Sequence, residues 1–198
     1  SGKQSLTRLA TFTAGYKLFQ ITLARGYGDT EFREDLKELY KLLSEGEVTF
    51  LFTDAHVVDE GQLELINNML TTGMVPALYE PEEKDGMCNL VRDEVAALGL
   101  VETNENCWAY FVNKCRNNLH IVLAMSPAGE TLRVRCRSFP GMVSNCVIDW
   151  YEAWPKNALE AVASFFLQEE SLPEDLRGTI IDHMVMVHLS VVSESKAF

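Results

Sequence analysis

Apolar residues recur at helical spacing at the start of the chain. Leu6, Leu9, Ala10 and Phe12 predict a helix from about Lys3 to Ala14 that stops near Gly15. KLFQITL follows, a short apolar run of strand length. Gly26, Tyr27 and Gly28 form a loop, after which Asp29 or Thr30 can cap a helix carrying Phe32, Leu36, Leu39, Tyr40 and Leu43 on one face. Gly46 ends that helix. The run VTFLFT, Val48 to Thr53, is almost wholly apolar, as expected of a strand covered on both faces.

Leu63, Ile66, Met69 and Leu70 predict the next helix, ending at Gly73. The acidic stretch from Tyr79 to Gly86 contains Pro81 and reads as a loop. Helical segments run from Met87 to Leu98 and from Glu105 to Cys115, and LHIVLAM, Leu119 to Met125, is a third strand stopped by Pro127. A helical piece around Leu132 to Arg137 leads through Phe139-Pro140-Gly141 to a short predicted strand, CVIDW. Beyond Pro155 only helical patterns remain, one on Leu159, Val162 and Phe166, the other on Leu176, Ile180, Met184, Val187 and Val191. Strands separated by helices mean a parallel sheet with right-handed crossovers. The expected fold is α/β, a parallel sheet flanked by helices over residues 1–154, followed by an all-helical unit over 155–198.

The length, 198 residues, suits one domain or slightly more, and 47% hydrophobic with 23% charged residues is a globular composition. A net charge of −12 argues against nucleic acid or an anionic membrane as partner. No apolar run approaches the ~20 residues that span a bilayer. The cysteines Cys88, Cys107, Cys115, Cys136 and Cys146 are odd in number and lack a C-x-x-C pair, so buried free thiols are expected. The opening Ser1-Gly2-Lys3-Gln4-Ser5 is abrupt and reads as a cut within something longer.

Three pieces carry candidate chemistry. Gly2-Lys3 heads a predicted helix, where a phosphate-binding loop places its lysine against the β- and γ-phosphates. Taken alone, a solvated first-turn lysine explains the dipeptide better. Asp54 ends the buried strand about fifty residues later, where a P-loop protein keeps a magnesium-holding carboxylate; a helix cap for a helix starting near Val58 is the plainer alternative. Leu119 to Ser126 is a further buried strand ending in a polar residue, which can reach the γ-phosphate or its attacking water. Other candidates point to ordinary structure. His183 and His188 are too badly spaced to share a metal, His56 reads as a surface loop residue, Met184 and Met186 as core filling, and Trp108, Trp150 and Trp154 as packing anchors.

The strings GKQSLTRLA, YGDTEFREDLKELY, FLFTDAHVVDEGQLELINNML, NLHIVLAMSP and RCRSFPGMVSNCVIDWYEAWP resemble the fourth AAA+ module of axonemal dynein heavy chains, over essentially the whole chain. The resemblance implies a P-loop NTPase fold whose first strand precedes Ser1. It marks Ser1, Gly2, Lys3, Gln4 and Ser5 as the end of the phosphate loop, with Gln4 where most such proteins have the magnesium-binding hydroxyl and Ser5 one place later. Thr53 aligns with the usual metal-holding Asp and Asp54 with the catalytic Glu; an alternative register keeps Asp54 on the metal and Ala55 at the catalytic place. Ser126 stands for a sensing Asn, Arg135 resembles an arginine finger to the neighbouring module, with Arg133 and Arg137 close by, and Arg177 a sensor-type arginine.

What the resemblance implies functionally is a regulatory nucleotide-binding module. It would take ATP or ADP with Mg, hydrolyse weakly or not at all, and belong to a minus-end-directed microtubule motor of cilia or flagella. The expected partners are neighbouring AAA+ modules of the same heavy chain, the microtubule only through a stalk outside this segment, and intermediate and light chains through the parent chain. Its place would be the axoneme, within the cytoplasm and cytoskeleton. Two alternatives stay open: a slow ATPase in its own right, and a structural spacer that binds no nucleotide.

Overall fold

Val48–Thr53, six residues without an exposed position, form the middle strand of a three-stranded parallel sheet in a computed structural model that describes residues 2–195. This is β2; β1 is Lys17–Phe19 and β3 is Leu119–Ala124. The order is β1-β2-β3, with Lys17 opposite Val48 and Val48 opposite Leu119. The chain divides into two compact units, residues 2–149 and a unit beginning at Trp150.

The first unit also contains α1 (Lys3–Ala14), α2 (Asp29–Glu45), α3 (Glu60–Thr72), α4 (Pro81–Ala97), α5 (Asn104–Asn118), α6 (Thr131–Ser138) and the single turn α7 (Gly141–Ser144). The strand period of two divides β2 between two faces. Val48, Phe50 and Phe52 join one cluster with Phe32, Leu36, Leu39, Tyr40 and Leu43 of α2, together with Leu63, Ile66 and Met69 of α3. Val91 and Val95 of α4 and Cys107, Phe111 and Cys115 of α5 complete it. Thr49, Leu51 and Thr53 are buried but alternate to the other face. Helix α1 lies against all three strands, buries Thr11 and exposes Leu6, Leu9 and Phe12. It stops at Gly15, whose φ of +75° is open to glycine without strain.

The faces expected for α2 and α3 are those observed, but that of α1 is corrected: Leu6, Leu9, Ala10 and Phe12 are exposed, and Thr11 is the residue the helix buries. The cysteines are free as expected, although only Cys88, Cys107 and Cys115 are buried and Cys136 and Cys146 are half-buried. Several other expectations are corrected. The acidic stretch after Tyr79 is not a loop, because α4 begins at Pro81. Proline at the first helical position forfeits no internal hydrogen bond, Glu82 and Glu83 favour the positive helix end, and Glu83 accepts from the Glu80 N–H at 2.9 Å. CVIDW forms no strand; Val147 is 91% exposed and its backbone pairs with none of the three strands. The first strand is only three residues long, although Ile21 beyond it still reaches the core.

The second unit is helical, with α8 (Lys156–Leu167) and α9 (Glu174–Glu194) packed on each other. Ala163 and Val185 are its buried positions among the described residues, and Met184 and Met186 are exposed rather than core filling. Trp150, at 70% exposure, is no packing anchor, whereas Trp108 packs on Phe111 with ring centres 5.5 Å apart. Among the described residues no helix is long and apolar enough to cross a membrane.

Candidate functional site at the carboxyl ends of β2 and β3

Thr53 pairs with Ala124, so the residues that follow, Asp54 on one strand and Met125 and Ser126 on the other, leave the sheet side by side. Asp54 is the first residue of a single 3-10 turn, Asp54–His56, and is half-exposed. Its Oδ2 accepts from the Ser126 N–H at 2.6 Å. Lys3, the first residue of α1, donates from Nζ to the Met125 carbonyl at 2.7 Å. Three sequence-predicted residues from three elements, Lys3, Asp54 and Ser126, are therefore brought to one corner, outside the carboxyl ends of parallel strands where α/β sheets present their ligand crevices.

A fourth predicted residue arrives from the other side. Arg135 of α6 donates from Nη1 to Asp54 Oδ1 at 2.8 Å and from Nε to Glu60 Oε1 at 3.2 Å, and its side chain is only 10% exposed. A guanidinium so enclosed needs partners, and the two carboxylates supply them. Arg133 instead faces solvent and pairs with Glu130 three residues before it. Glu60 was missed by the sequence reading; its place in the first turn of α3 marks only a helix-dipole residue, with nothing in the spacing to link it to Arg135.

Beneath this corner the β2 end is held by buried groups. His56 is buried, not a surface residue; its Nδ1 accepts from the Thr53 N–H at 3.1 Å, and burial lowers its pKa below the usual imidazole value. Asp54 does not cap α3. Asp59 does so, accepting from the Gly61 N–H at 2.7 Å, and Gln62 Oε1 reaches back to the Val58 N–H at 2.9 Å. That Asp-x-x-Gln spacing was legible as a capping box.

Of the remaining predicted residues, three flank Lys3. Gly2, with φ of +73°, precedes α1; Gln4 and Ser5 are exposed in its first turn; Ser1 lies outside the described residues. Thr53 is 4% exposed, so the open carboxylate at this strand end belongs to Asp54. Arg177 lies in the helical unit, where its guanidinium donates to the carbonyls of Leu167 and Glu170 and closes the end of α8.

Among the described residues no cluster of three or more His, Cys, Asp or Glu could hold a metal by itself. A single carboxylate is a hard-oxygen donor of the kind that shares magnesium with phosphate oxygens, and the ammonium of Lys3 suits the phosphate. Lys3 and Asp54 together are compatible with a magnesium ion shared with a phosphate group.

The family described as the P-loop containing dynein motor region D4 matches residues 1–198. The chain is 65% identical over 200 residues to the dynein-1-alpha heavy chain of the flagellar inner arm I1 complex of Chlamydomonas reinhardtii, and 54% identical over 201 residues to dynein axonemal heavy chain 10 of Homo sapiens. It is 43% identical to the flagellar outer-arm dynein beta chain of Chlamydomonas reinhardtii. All of this chain is covered in each case, and it spans 4% of the length of each relative.

Proposed function

The chain belongs to the dynein motor family as its P-loop D4 region, and from that premise we propose that it binds ATP or ADP with magnesium and regulates an axonemal heavy chain, hydrolysing slowly or not at all. The observation that carries this reading is the convergence of Lys3, Asp54 and Ser126 on one corner of the sheet. Lys3 would meet the terminal phosphates beside Gly2, Gln4 and the α1 N-terminus, Ser5 and Asp54 would hold magnesium, and Ser126 would face the γ-phosphate. Arg177 would have to leave the α8 carbonyls to act as a phosphate sensor.

Weak hydrolysis follows in either register: with Asp54 on the magnesium, Ala55 at the next place offers no base, and with Asp54 as the base its reach is short. A general base must come within ~3 Å of the proton it takes, directly or through one water. Aspartate is a methylene shorter than glutamate, and both its oxygens are engaged, by Arg135 and by Ser126. The module would then pass its nucleotide state to neighbouring modules of the same chain, in a ciliary or flagellar motor whose microtubule contact lies elsewhere. A second reading, a spacer without nucleotide, is favoured by one observation: the Lys3 ammonium is already bonded to the Met125 carbonyl.

Nucleotide stoichiometry of the heavy chain, measured with ADP and ATP in magnesium, separates the two. Lys3→Ala should remove one bound equivalent per chain. Unchanged stoichiometry favours the spacer.

A further inference from the structure

Both oxygens of Asp54 are in use, one of them by a cation from the same chain. Arg135 comes from α6, 81 residues along the sequence, with its Nη1 on Asp54 Oδ1 and its Nε on Glu60 Oε1. Its side chain is turned inward and nearly enclosed, while the carboxylates it joins are more open, at 41% for Asp54 and 60% for Glu60. The geometry points to Arg135 as an internal latch: a positioning residue that holds Asp54 while no divalent cation is present and lets it go when one arrives with nucleotide.

The inference rests on the nucleotide reading above and adds its regulation. Magnesium binds carboxylate oxygen at about 2.1 Å, so a cation on Oδ1 and the guanidinium already there are two positive charges repelling each other across one oxygen, while Oδ2 is taken by the Ser126 N–H. A simple ion pair would leave the loser buried and unpaired, which is costly. Arg135 has a second partner. On release from Asp54 it keeps Glu60, so opening strands no charge. One contested carboxylate and one uncontested carboxylate are what a two-position arginine requires. The released arm belongs to an eight-residue helix whose Arg133 and Val134 are exposed, so the change reaches the surface.

Hydrogen exchange read peptide by peptide on the full heavy chain tests this in three conditions: no nucleotide, ADP with EDTA, and ADP with magnesium. ADP should protect residues 2–8 with or without magnesium. Residues 131–138 should exchange about tenfold faster only when magnesium is present, the scale expected for loss of a charge-assisted hydrogen bond. Arg135→Met should exchange fast there in all three conditions, and Arg135→Lys, which keeps a charge for Asp54, should recover part of the magnesium response. Protection at 2–8 with no magnesium effect at 131–138 overturns the latch and leaves nucleotide binding standing. No protection at 2–8 in either ADP condition removes the nucleotide reading, and the latch with it.

Discussion

Lys3 and Met125 are 122 residues apart in sequence and 2.7 Å apart in space, the lysine ammonium donating to the methionine carbonyl. The bond ties the start of α1 to the end of β3, just where the loop carrying Ser126 departs.

Removing that ammonium should loosen the loop even without nucleotide. Lys3→Met is expected to cost roughly 1 kcal/mol locally, the net value of one hydrogen bond. Exchange at the amides of Met125, Ser126 and Ala128 is the readout. An unaltered rate in Lys3→Met would mean that the contact contributes nothing.

Gly141 marks a close approach between α7 and α3. Its N–H donates to Asn67 Oδ1 at 2.8 Å, and a Cβ there would lie 2.6 Å from the same oxygen and 3.2 Å from the Thr71 methyl. Gly141→Ala should cost about 1–3 kcal/mol, the range for forced overpacking. Combining it with Asn67→Ala should be less damaging than the sum of the two changes. Limited proteolysis after residue 138 would report the undocking.

His56 sets a pH dependence. Its Nδ1 accepts a backbone hydrogen bond only when unprotonated, and burial lowers its pKa from the ordinary 6.5. The unfolded chain therefore binds the proton more readily than the folded one. Stability from this group is present above the unfolded value and is lost as pH falls below it towards the folded pKa. Chemical denaturation across pH 7 to 5 should show that decline, and His56→Gln should flatten it.

Thiol labelling should divide the cysteines. Burial pushes the Cys115 thiol up to about 12, raises Cys88 as well, and encloses Cys107. Cys136, half-buried, should react with iodoacetamide first. Cys146 should follow more slowly, since burial raises its pKa. Equal labelling of all five in native protein would contradict the packing of α4 and α5.

The sequence carried the helices with a single apolar face and the buried β2, because burial repeats with the period of the backbone. Phe32, Leu36, Leu39, Tyr40 and Leu43 could be assigned to one face on that ground alone. The same logic failed at Pro81, where proline and acid residues signal a loop and a helix start equally well. It failed at CVIDW too, since an apolar run becomes a strand only where a neighbour supplies the ladder. At the corner, Lys3, Asp54 and Ser126 were legible from their places at element ends. The inward turn of Arg135 was not, because Glu60, the partner that completes its enclosure, is tied to it by no periodicity.

Parallel pairing also sets an order of events. Asp54 and Ser126 are separated by 72 residues that include α3, α4 and α5, and Arg135 joins them only after a further turn of chain. Loop-closure entropy has to be overcome before such distant contacts return anything. Helix α2 and its contacts to β2 are local and can form early; the corner that joins Lys3, Asp54 and Arg135 is expected to close last. In pulsed exchange during refolding, the Ser126 amide should gain protection after those of α2, so the region proposed to sense nucleotide is also the last part of the unit to be built.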